Sequence, residues 1–219
     1  MDLDFSLISD KLDYILLGVI DTVQFTLLSA LVGFLGGALL ALIKISDNKP
    51  LKGFAVFYTS IFRGTPLILQ LTLIYFSIPQ LTGYDISPLA AGVIAFGLNS
   101  AAYTSETIRA GILAVDKGQR EAAIALGIPY RKMMIDIIFP QALKNILPAL
   151  VNESINLLKD SALVSVIGVT DVLRRANIVA AETFVYFEPL LLAGLLYYFM
   201  VIGLTAVARR FERRLRRSD

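Results

Sequence analysis

Long uninterrupted apolar runs constrain this chain more than any other feature of its sequence. Several of them approach the roughly 20 residues that an α-helix needs to cross the hydrocarbon core of a bilayer. Hydrophobic residues make up 56% of the 219-residue chain, above the roughly 45–50% usual for soluble domains. A soluble fold would interleave polar residues throughout these runs. The sequence therefore predicts a single all-α integral membrane domain that covers residues 1–219.

The positions of the apolar runs predict five transmembrane helices. The first covers residues 22–43, the second 58–78 and the third 87–112. In the third, Ser87 is a candidate N-cap and Pro88 a first helical residue. A weaker fourth helix begins at Pro148, and a fifth covers residues 189–208. Lys159 and Asp160 interrupt the fourth, so the helix either is discontinuous there or ends, with a short outer piece after it.

Lysine and arginine follow an alternating pattern between the runs, and such residues are retained in short cytoplasmic loops. The segment before the first run is acidic, and residues 81–87 contain no basic residue. The basic clusters are Lys44, Lys49 and Lys52, then Lys117, Arg120, Arg131, Lys132 and Lys144, then the six arginines of 209–219. This pattern predicts that the N-terminus is outside and the C-terminus inside. The basic tail is predicted to bind anionic lipid, whereas a net charge of +2 gives no reason to expect nucleic acid.

Residue types that are missing exclude several kinds of chemistry. The sequence contains no cysteine, histidine or tryptophan, which removes disulfides, thiol nucleophiles, Cys/His metal sites and a Ser-His-Asp triad. The phosphate-binding pattern G-x-x-x-x-G-K-[ST] is also absent, so the chain does not bind ATP through such a loop. We therefore expect no enzyme, no metal and no cofactor in this chain.

The predicted cytoplasmic loop 116–140 contains a short amphipathic helix. Small and apolar residues at helical spacing adjoin a polar edge, and Gly127 and Pro129 end the helix. The apolar positions are Ala122, Ala125 and Leu126, and the polar ones Gln119, Arg120 and Glu121. Such a helix can enter a cleft of a soluble partner, or it can rest on lipid headgroups.

The spacing within this loop resembles the EAA loop of the permease subunits of ABC importers. The matching residues are Glu121, Ala122, Ala123, Gly127, Ile137 and Pro140. Phe139 departs from the pattern, because the family more often has an aliphatic residue before the proline. In that family the loop forms a coupling helix that docks into a groove of the ATP-binding subunit. The resemblance thus implies that Glu121, Ala122, Ala123 and Gly127 couple this chain to an ATPase.

Two further elements resemble the polar amino acid permeases of the histidine, glutamine and arginine type. These are Arg63-Gly64-Thr65-Pro66 and Lys159-Asp160-Ser161-Ala162-Leu163, the second with Ser and Ala where the family commonly has Thr and Ser. The resemblance implies an importer of amino acids, possibly basic or polar ones, in the bacterial cytoplasmic membrane. It also implies partners, namely ATP-binding cassette subunits that hold ATP and magnesium, an extracytoplasmic solute-binding protein, and a second permease chain, identical or related.

Three polar residues inside the predicted spans are candidates for substrate binding. Asn99 and Tyr103 share one face of the third helix, where they either contact substrate or hydrogen-bond to neighbouring helices. Glu153 has no basic residue one turn away, so its carboxylate binds an amino acid, pairs with Lys159 of the same or a symmetry-related chain, or reaches the interface. Glu106 and Arg109 are expected to neutralise each other.

Two other classes of protein remain possible on the sequence alone. One is an ion-coupled secondary carrier that uses Glu106 and Glu153 as ion sites, although we find no internal inverted repeat of the kind many carriers contain. The other is a membrane scaffold without a transport path, in which the buried polar residues only hold the helices together.

Overall fold

The protein is all-helical in the part of the chain that the computed structural model describes, residues 5–216 for the backbone and 8–210 for side chains. A 3₁₀ turn, Phe5–Lys11, leads into the first helix. The helices in chain order are α1 (Leu12–Ile45), α2 (Lys49–Gly64), α3 (Leu67–Thr82), α4 (Pro88–Leu113), α5 (Lys117–Ala125), α6 (Tyr130–Ile167), α7 (Val172–Thr183) and α8 (Phe187–Arg216). The described residues form only helices, which confirms the all-α class that the apolar runs predict. The side chains of the basic tail beyond residue 210 lie outside the described residues.

Three helices of this part, α1, α6 and α8, are long and apolar enough to cross a membrane, and the bent pair α2–α3 is a fourth candidate if it forms one span. Helix α4 has 26 residues, about 39 Å of helix and enough length to cross. Its polar residues lower its hydropathy, and it is not among these candidates. The predicted count of five spans therefore stays a prediction.

Helix α1 begins ten residues before the predicted first span, at Leu12 instead of Thr22. Asp21 interrupts the apolar pattern, and the sequence gives no partner for it. In the fold, the Arg175 guanidinium of α7 donates to the Asp21 carboxylate at 2.8 Å. The pairing allows α1 to continue past the charged residue.

The predicted second helix, residues 58–78, is wrong as a single element. Helix α2 ends at Gly64, and α3 begins at Leu67 after a bend of 104°. Thr65 is extended because a residue before proline disfavours the helical conformation, and Pro66 then precedes the first turn of α3. Helix α3 also continues past Pro79 to Thr82, after a π-helical turn at Leu73–Ser77.

The start of the predicted fourth helix at Pro148 is also wrong, whereas the capping signals of the third are confirmed. Pro148 lies inside the α-helical stretch Phe139–Asp160 of α6. The α-helix ends at Asp160 and tightens to a 3₁₀ helix, Ser161–Ile167, which Gly168 ends at a φ of 91°. At the start of α4, by contrast, the Ser87 hydroxyl accepts the Ala90 N–H as an N-cap does.

Helices α1 and α4 make the most extensive helix contact in the chain. Small residues on both helices let the backbones approach closely. A Cβ atom placed on Gly37 would lie 2.5 Å from Cβ of Thr104, and one placed on Gly33 would lie 2.6 Å from Cβ of Ser100. The position of α4, on which the candidate site depends, thus requires glycine at these positions of α1.

We expect Gly37→Ala to lower the thermal midpoint of the detergent-solubilised chain by several degrees. An added methyl group in a closely packed contact costs about 1–3 kcal/mol, and in a chain of this size each kcal/mol shifts the midpoint by about 2–4 °C. Gly194→Ala is the matched control, because a Cβ at Gly194 has nothing within 4 Å. Equal midpoints for the two variants would contradict the close contact.

A buried polar cluster joins the N-terminal halves of α1 and α8 to the start of α7. The Asp171 carboxylate caps α7 by accepting the Arg174 N–H at 2.8 Å, and it also accepts the Tyr197 hydroxyl of α8 at 2.8 Å. Burial raises the pKa of the Asp171 carboxyl. The Thr22 hydroxyl of α1 accepts the Val172 N–H at 3.1 Å. These bonds fix α7 across the N-terminal halves of two long helices.

Candidate functional site

A cavity of about 380 Å³ lies between the α2–α3 bend, α4 and α6. All three residues predicted to bind substrate, Asn99, Tyr103 and Glu153, line it. The other lining residues are Thr65, Pro66, Leu67, Asn156, Leu157 and Asp160. The fold therefore brings together, from α4 and α6, side chains that are 50 residues apart in sequence.

The side wall of this cavity is held by amide hydrogen bonds at the α2–α3 bend. Gln70 Nε2 donates to the Phe62 carbonyl at 3.0 Å and to the Thr65 hydroxyl at 2.8 Å. Asn99 Nδ2 donates to the same Phe62 carbonyl and to Gln70 Oε1, both at 3.0 Å. The bend leaves carbonyls of α2 without helical partners, and these amides satisfy them. Asn99 thus makes the interhelical hydrogen bonds that were one of the two interpretations of its position.

Sequence reasoning missed the structural role of Gln70. A buried glutamine eight residues after the carbonyl of Phe62 cannot reach it along a straight helix, which rises about 12 Å over that distance. The bend at Gly64 to Pro66 brings the two groups together. The Thr65-Pro66 pair inside an apolar run was the sequence signal that could have indicated this bend.

Tyr103 is 39% exposed and lies between the cavity and a cation. The Arg63 guanidinium carbon is 5.3 Å from the centre of the Tyr103 ring, within the range of a cation–π contact. The ring therefore presents one surface to the cavity and fixes an arginine beside it.

Glu153 is half-buried, and Ser100 of α4 lies beside it. None of the ion pairs among residues 8–210 involves Glu153, so pairing with Lys159, one of the alternatives for its position, is not formed within the described chain. Asp160 lines the same cavity, and no lysine or arginine is among the lining residues. Two carboxylates therefore line the cavity, and two bases, Arg63 against the Tyr103 ring and Lys159 next to Asp160, lie just outside its lining.

Glu106, in contrast, is engaged by two cations. Arg109 Nη2 lies 2.8 Å from its carboxylate, which confirms the expected neutralisation, and the Lys44 ammonium also pairs with it. Lys44 is only 3% exposed and donates to the hydroxyls of Thr59 and Ser105, both at 3.0 Å. The sequence places Lys44 in a cytoplasmic loop, but in the fold its side chain bridges α1, α2 and α4.

Helix α5 lies outside the bundle as a short, separately capped helix. The Asp116 carboxylate accepts the Gly118 N–H at 2.7 Å at its start. At its end Gly127 has a φ of 70°. There the Ile128 N–H bonds the Ala123 carbonyl at 3.0 Å, and the Gly127 N–H bonds the Ile124 carbonyl at 2.9 Å. This pair of bonds is a Schellman motif, which ends a helix sharply and favours glycine at the left-handed position.

One face of α5 anchors it to the bundle, and several of its other side chains are exposed. Ala123 is 2% exposed and packs in a cluster with Ile112, Val115, Met133 and Ile138. Glu121 and Ala122 are exposed, and so are Ile124 and Leu126, at 68% and 78%. Of the four residues predicted to couple the chain to an ATPase, Glu121, Ala122 and Gly127 lie on the surface, and Ala123 holds the helix in place.

The described chain is thus a helical bundle with candidate membrane spans, a cavity lined by polar side chains and a short, separately capped helix. Residues 33–217 match the family of binding-protein-dependent transport system inner membrane components, and the chain belongs to that family. It is thus a multi-pass protein of the bacterial inner membrane and a permease component of an ABC transporter.

The relatives narrow the class to amino acid transport. The chain is 53% identical over the full length of both proteins to the arginine transport system permease protein ArtQ of Bacillus subtilis. It is 50% identical to a putative glutamine transport system permease protein GlnP of Rickettsia bellii, with 94% of this chain and 95% of that protein covered. Among solved structures, it resembles an amino acid ABC transporter solved with histidines, at a TM-score of 0.93 and 45% identity over 98% of this chain and all of that chain.

Proposed function

We propose that this chain is the membrane-spanning subunit of an ATP-driven importer of basic amino acids. The observation that carries the proposal is the cavity that Asn99, Tyr103 and Glu153 line, with two carboxylates and no base in its wall. The substrate's guanidinium or ammonium group would meet these carboxylates. The 53% identity to an arginine permease supports this class of substrate.

ATP chemistry is assigned to a separate subunit. The chain has no phosphate-binding loop, so a partner would bind ATP and magnesium, and α5 would transmit the partner's motion to the bundle. The exposed Ile124 and Leu126, together with Glu121, support this role for α5, because exposed apolar patches rimmed by polar residues mark interaction sites. Ala123 would fix the helix to the start of α6, which carries Asn156 and Glu153 further along.

The proposed assembly has two permease chains, identical or related, two ATP-binding subunits and an extracytoplasmic solute-binding protein. Binding of the delivered amino acid and of ATP would bias the equilibrium between outward-open and inward-open arrangements. The alternative of an ion-coupled carrier requires Glu106 as an ion site. Lys44 and Arg109 already neutralise this carboxylate, which disfavours that alternative.

The test is uptake by the reconstituted complex. The chain is purified from its host with the subunits that accompany it, placed in liposomes with ATP inside, and supplied with solute-binding protein and radiolabelled arginine. We expect arginine uptake that requires ATP and that lysine competes for better than glutamate. If no ATPase accompanies the chain, or if an ion gradient drives uptake without ATP, the proposal is wrong.

The proposed topology has five transmembrane helices, with the N-terminus outside and α5 in the cytoplasm. It counts α3 as the second span and α4 as the third, since α4 is long enough to cross and is shielded by α1 and α6. Polar side chains of α4 face other helices instead of lipid, as Asn99 and Ser105 show.

The absence of cysteine allows a direct test of this topology. We expect Asp85→Cys, between α3 and α4, to react with a membrane-impermeant maleimide on intact spheroplasts. Lys117→Cys, in the first turn of α5, is expected to react only after permeabilisation. Both positions are exposed, so accessibility within the protein is matched. Labelling of Lys117→Cys on intact cells would reverse the orientation.

A further inference from the structure

Two adjoining cavities outside the candidate substrate site, an apolar groove and a polar cleft, share a wall at the α5 end of the bundle. The first, of about 560 Å³, lies between α1 and the start of α6, and Arg131 is the only charged residue among those that line it. The second, of about 520 Å³, is a polar cleft between the end of α1, α2, α4 and α5. The two share the wall residues Ile45, Ile112, Tyr130 and Met134.

The apolar part has the depth of one leaflet of a bilayer. On α1 its lining extends from Phe34 to Ile45, about 16 Å along the helix axis. Half of the hydrocarbon core of a bilayer is about 15 Å. The length of the groove therefore matches the depth of one leaflet, and Arg131 is the charged residue in its lining.

The polar cleft carries basic groups that the protein itself does not neutralise. Its lining holds four basic residues, Lys44, Lys52, Arg109 and Arg120, and two acids. Glu106 is already paired with Lys44 and Arg109, and Asp47 is exposed. None of the ion pairs among residues 8–210 engages Lys52, Arg120 or Arg131. Three unpaired cations around the mouth of an apolar groove complement one kind of ligand, an acyl chain with an anionic headgroup.

We propose that the α1–α6 groove and the adjoining cleft bind one anionic phospholipid of the cytoplasmic leaflet, with an acyl chain in the groove and the phosphate near Lys52, Arg120 and Arg131. The lipid would bridge α1, α6 and α5, and would thereby support the helix proposed to dock the ATPase. The proposed topology determines only which leaflet supplies the lipid. The groove and the unpaired cations are independent of the substrate and of the ATPase.

The test is native mass spectrometry of the purified full chain, with any subunits that accompany it, titrated with phosphatidylglycerol or with phosphatidylcholine of the same acyl chains. We expect one phosphatidylglycerol to be retained at least about tenfold more tightly than phosphatidylcholine. Arg120→Gln and Arg131→Gln are each expected to weaken its retention about fivefold, the effect of one basic residue near a membrane surface. Lys49→Gln, an exposed residue of α2 that does not line the cleft, is expected to have no such effect.

A second pair of variants tests the apolar part. Ala38→Phe fills the groove without touching a charge, and it is expected to reduce retention of phosphatidylglycerol, whereas Leu39→Phe, on the 61% exposed face of α1, is not. Equal retention of the two lipids would overturn the proposal, as would wild-type retention by Arg120→Gln and Arg131→Gln. Competition by glycerol 3-phosphate at the same concentration as the lipid would also overturn it, since the acyl chain would then contribute nothing to binding. All these readouts are made without ATP or amino acid, so their failure is distinct from a failure of transport.

Discussion

Glu121→Lys is expected to abolish ATP-driven uptake while the chain remains folded in the membrane. Glu121 is exposed on α5 and makes no ion pair among the described residues, so the stability of the bundle does not depend on it. If α5 docks into a groove of the ATPase, a reversed charge there meets groups arranged for a carboxylate. Like charges brought together in an interface cost several kcal/mol, which weakens binding by about a hundredfold or more.

Gly127→Asp is expected to act on the same interface through the backbone. Its φ of 70° is unfavourable for a residue with a side chain, so the substitution loosens the Schellman turn and adds a charge. Pull-down of the ATP-binding subunit and uptake by proteoliposomes measure both variants. Asp85→Lys is the matched control, an exposed acid-to-lysine change in the turn between α3 and α4. If both α5 variants retain the ATPase as the wild type does, α5 is not the coupling helix.

Signals that are local in sequence predicted their structures correctly. Ser87 and Pro88 predicted the start of α4 because an N-cap depends on a hydroxyl and an N–H three residues apart. Gly127 predicted the end of α5 because few other residues adopt its backbone conformation. The shared helix face of Asn99 and Tyr103 was also predicted correctly, since both residues lie on one helix and line one cavity.

Features that depend on distant partners could not be predicted. In the sequence, Asp21 interrupts an apolar run and Lys44 marks the start of a loop. In the fold both lie in α1, where Arg175 neutralises Asp21 and Glu106 neutralises Lys44. Lys144 and Asn145 likewise interrupt the apolar pattern in the first half of α6, so the sequence did not predict a helix there. In the fold the Asn145 amide donates to the Gly111 carbonyl at 3.5 Å. The sequence contains these charges but not the packing that brings their partners near, so helix boundaries at such residues were placed wrongly.

The α2–α3 bend shows an intermediate case. Pro66 gives a strong local signal against a continuous helix, but the apolar run on both sides of it favours one span. The bend persists because Gln70 and Asn99 satisfy the carbonyl of Phe62 at the end of α2. Without a glutamine and an asparagine that converge from α3 and α4, the exposed carbonyl would be costly in a membrane.

Glu153→Gln is expected to weaken the binding of arginine to the permease complex by about 10–100-fold. The substitution keeps the size of the side chain, but it removes the charge and replaces one acceptor oxygen with an NH2 donor. A hydrogen bond to a charged group contributes about 1.5–3 kcal/mol, and no lysine or arginine of the described chain compensates Glu153 in the cavity. The measurement is equilibrium binding of radiolabelled arginine to the purified complex without the solute-binding protein, whose own affinity would otherwise dominate.

Parallel binding of glutamine shows which group of the amino acid Glu153 contacts. If the carboxylate binds the cationic side chain, Glu153→Gln weakens arginine binding and leaves glutamine binding nearly unchanged. If it binds the α-amino group, which every amino acid carries, both ligands lose affinity to the same extent. Asp136→Asn is the matched control, an exposed carboxylate of the same helix that does not line the cavity. Wild-type affinity for both ligands in Glu153→Gln would exclude a substrate contact, and the half-buried carboxylate beside Ser100 would then have a structural role.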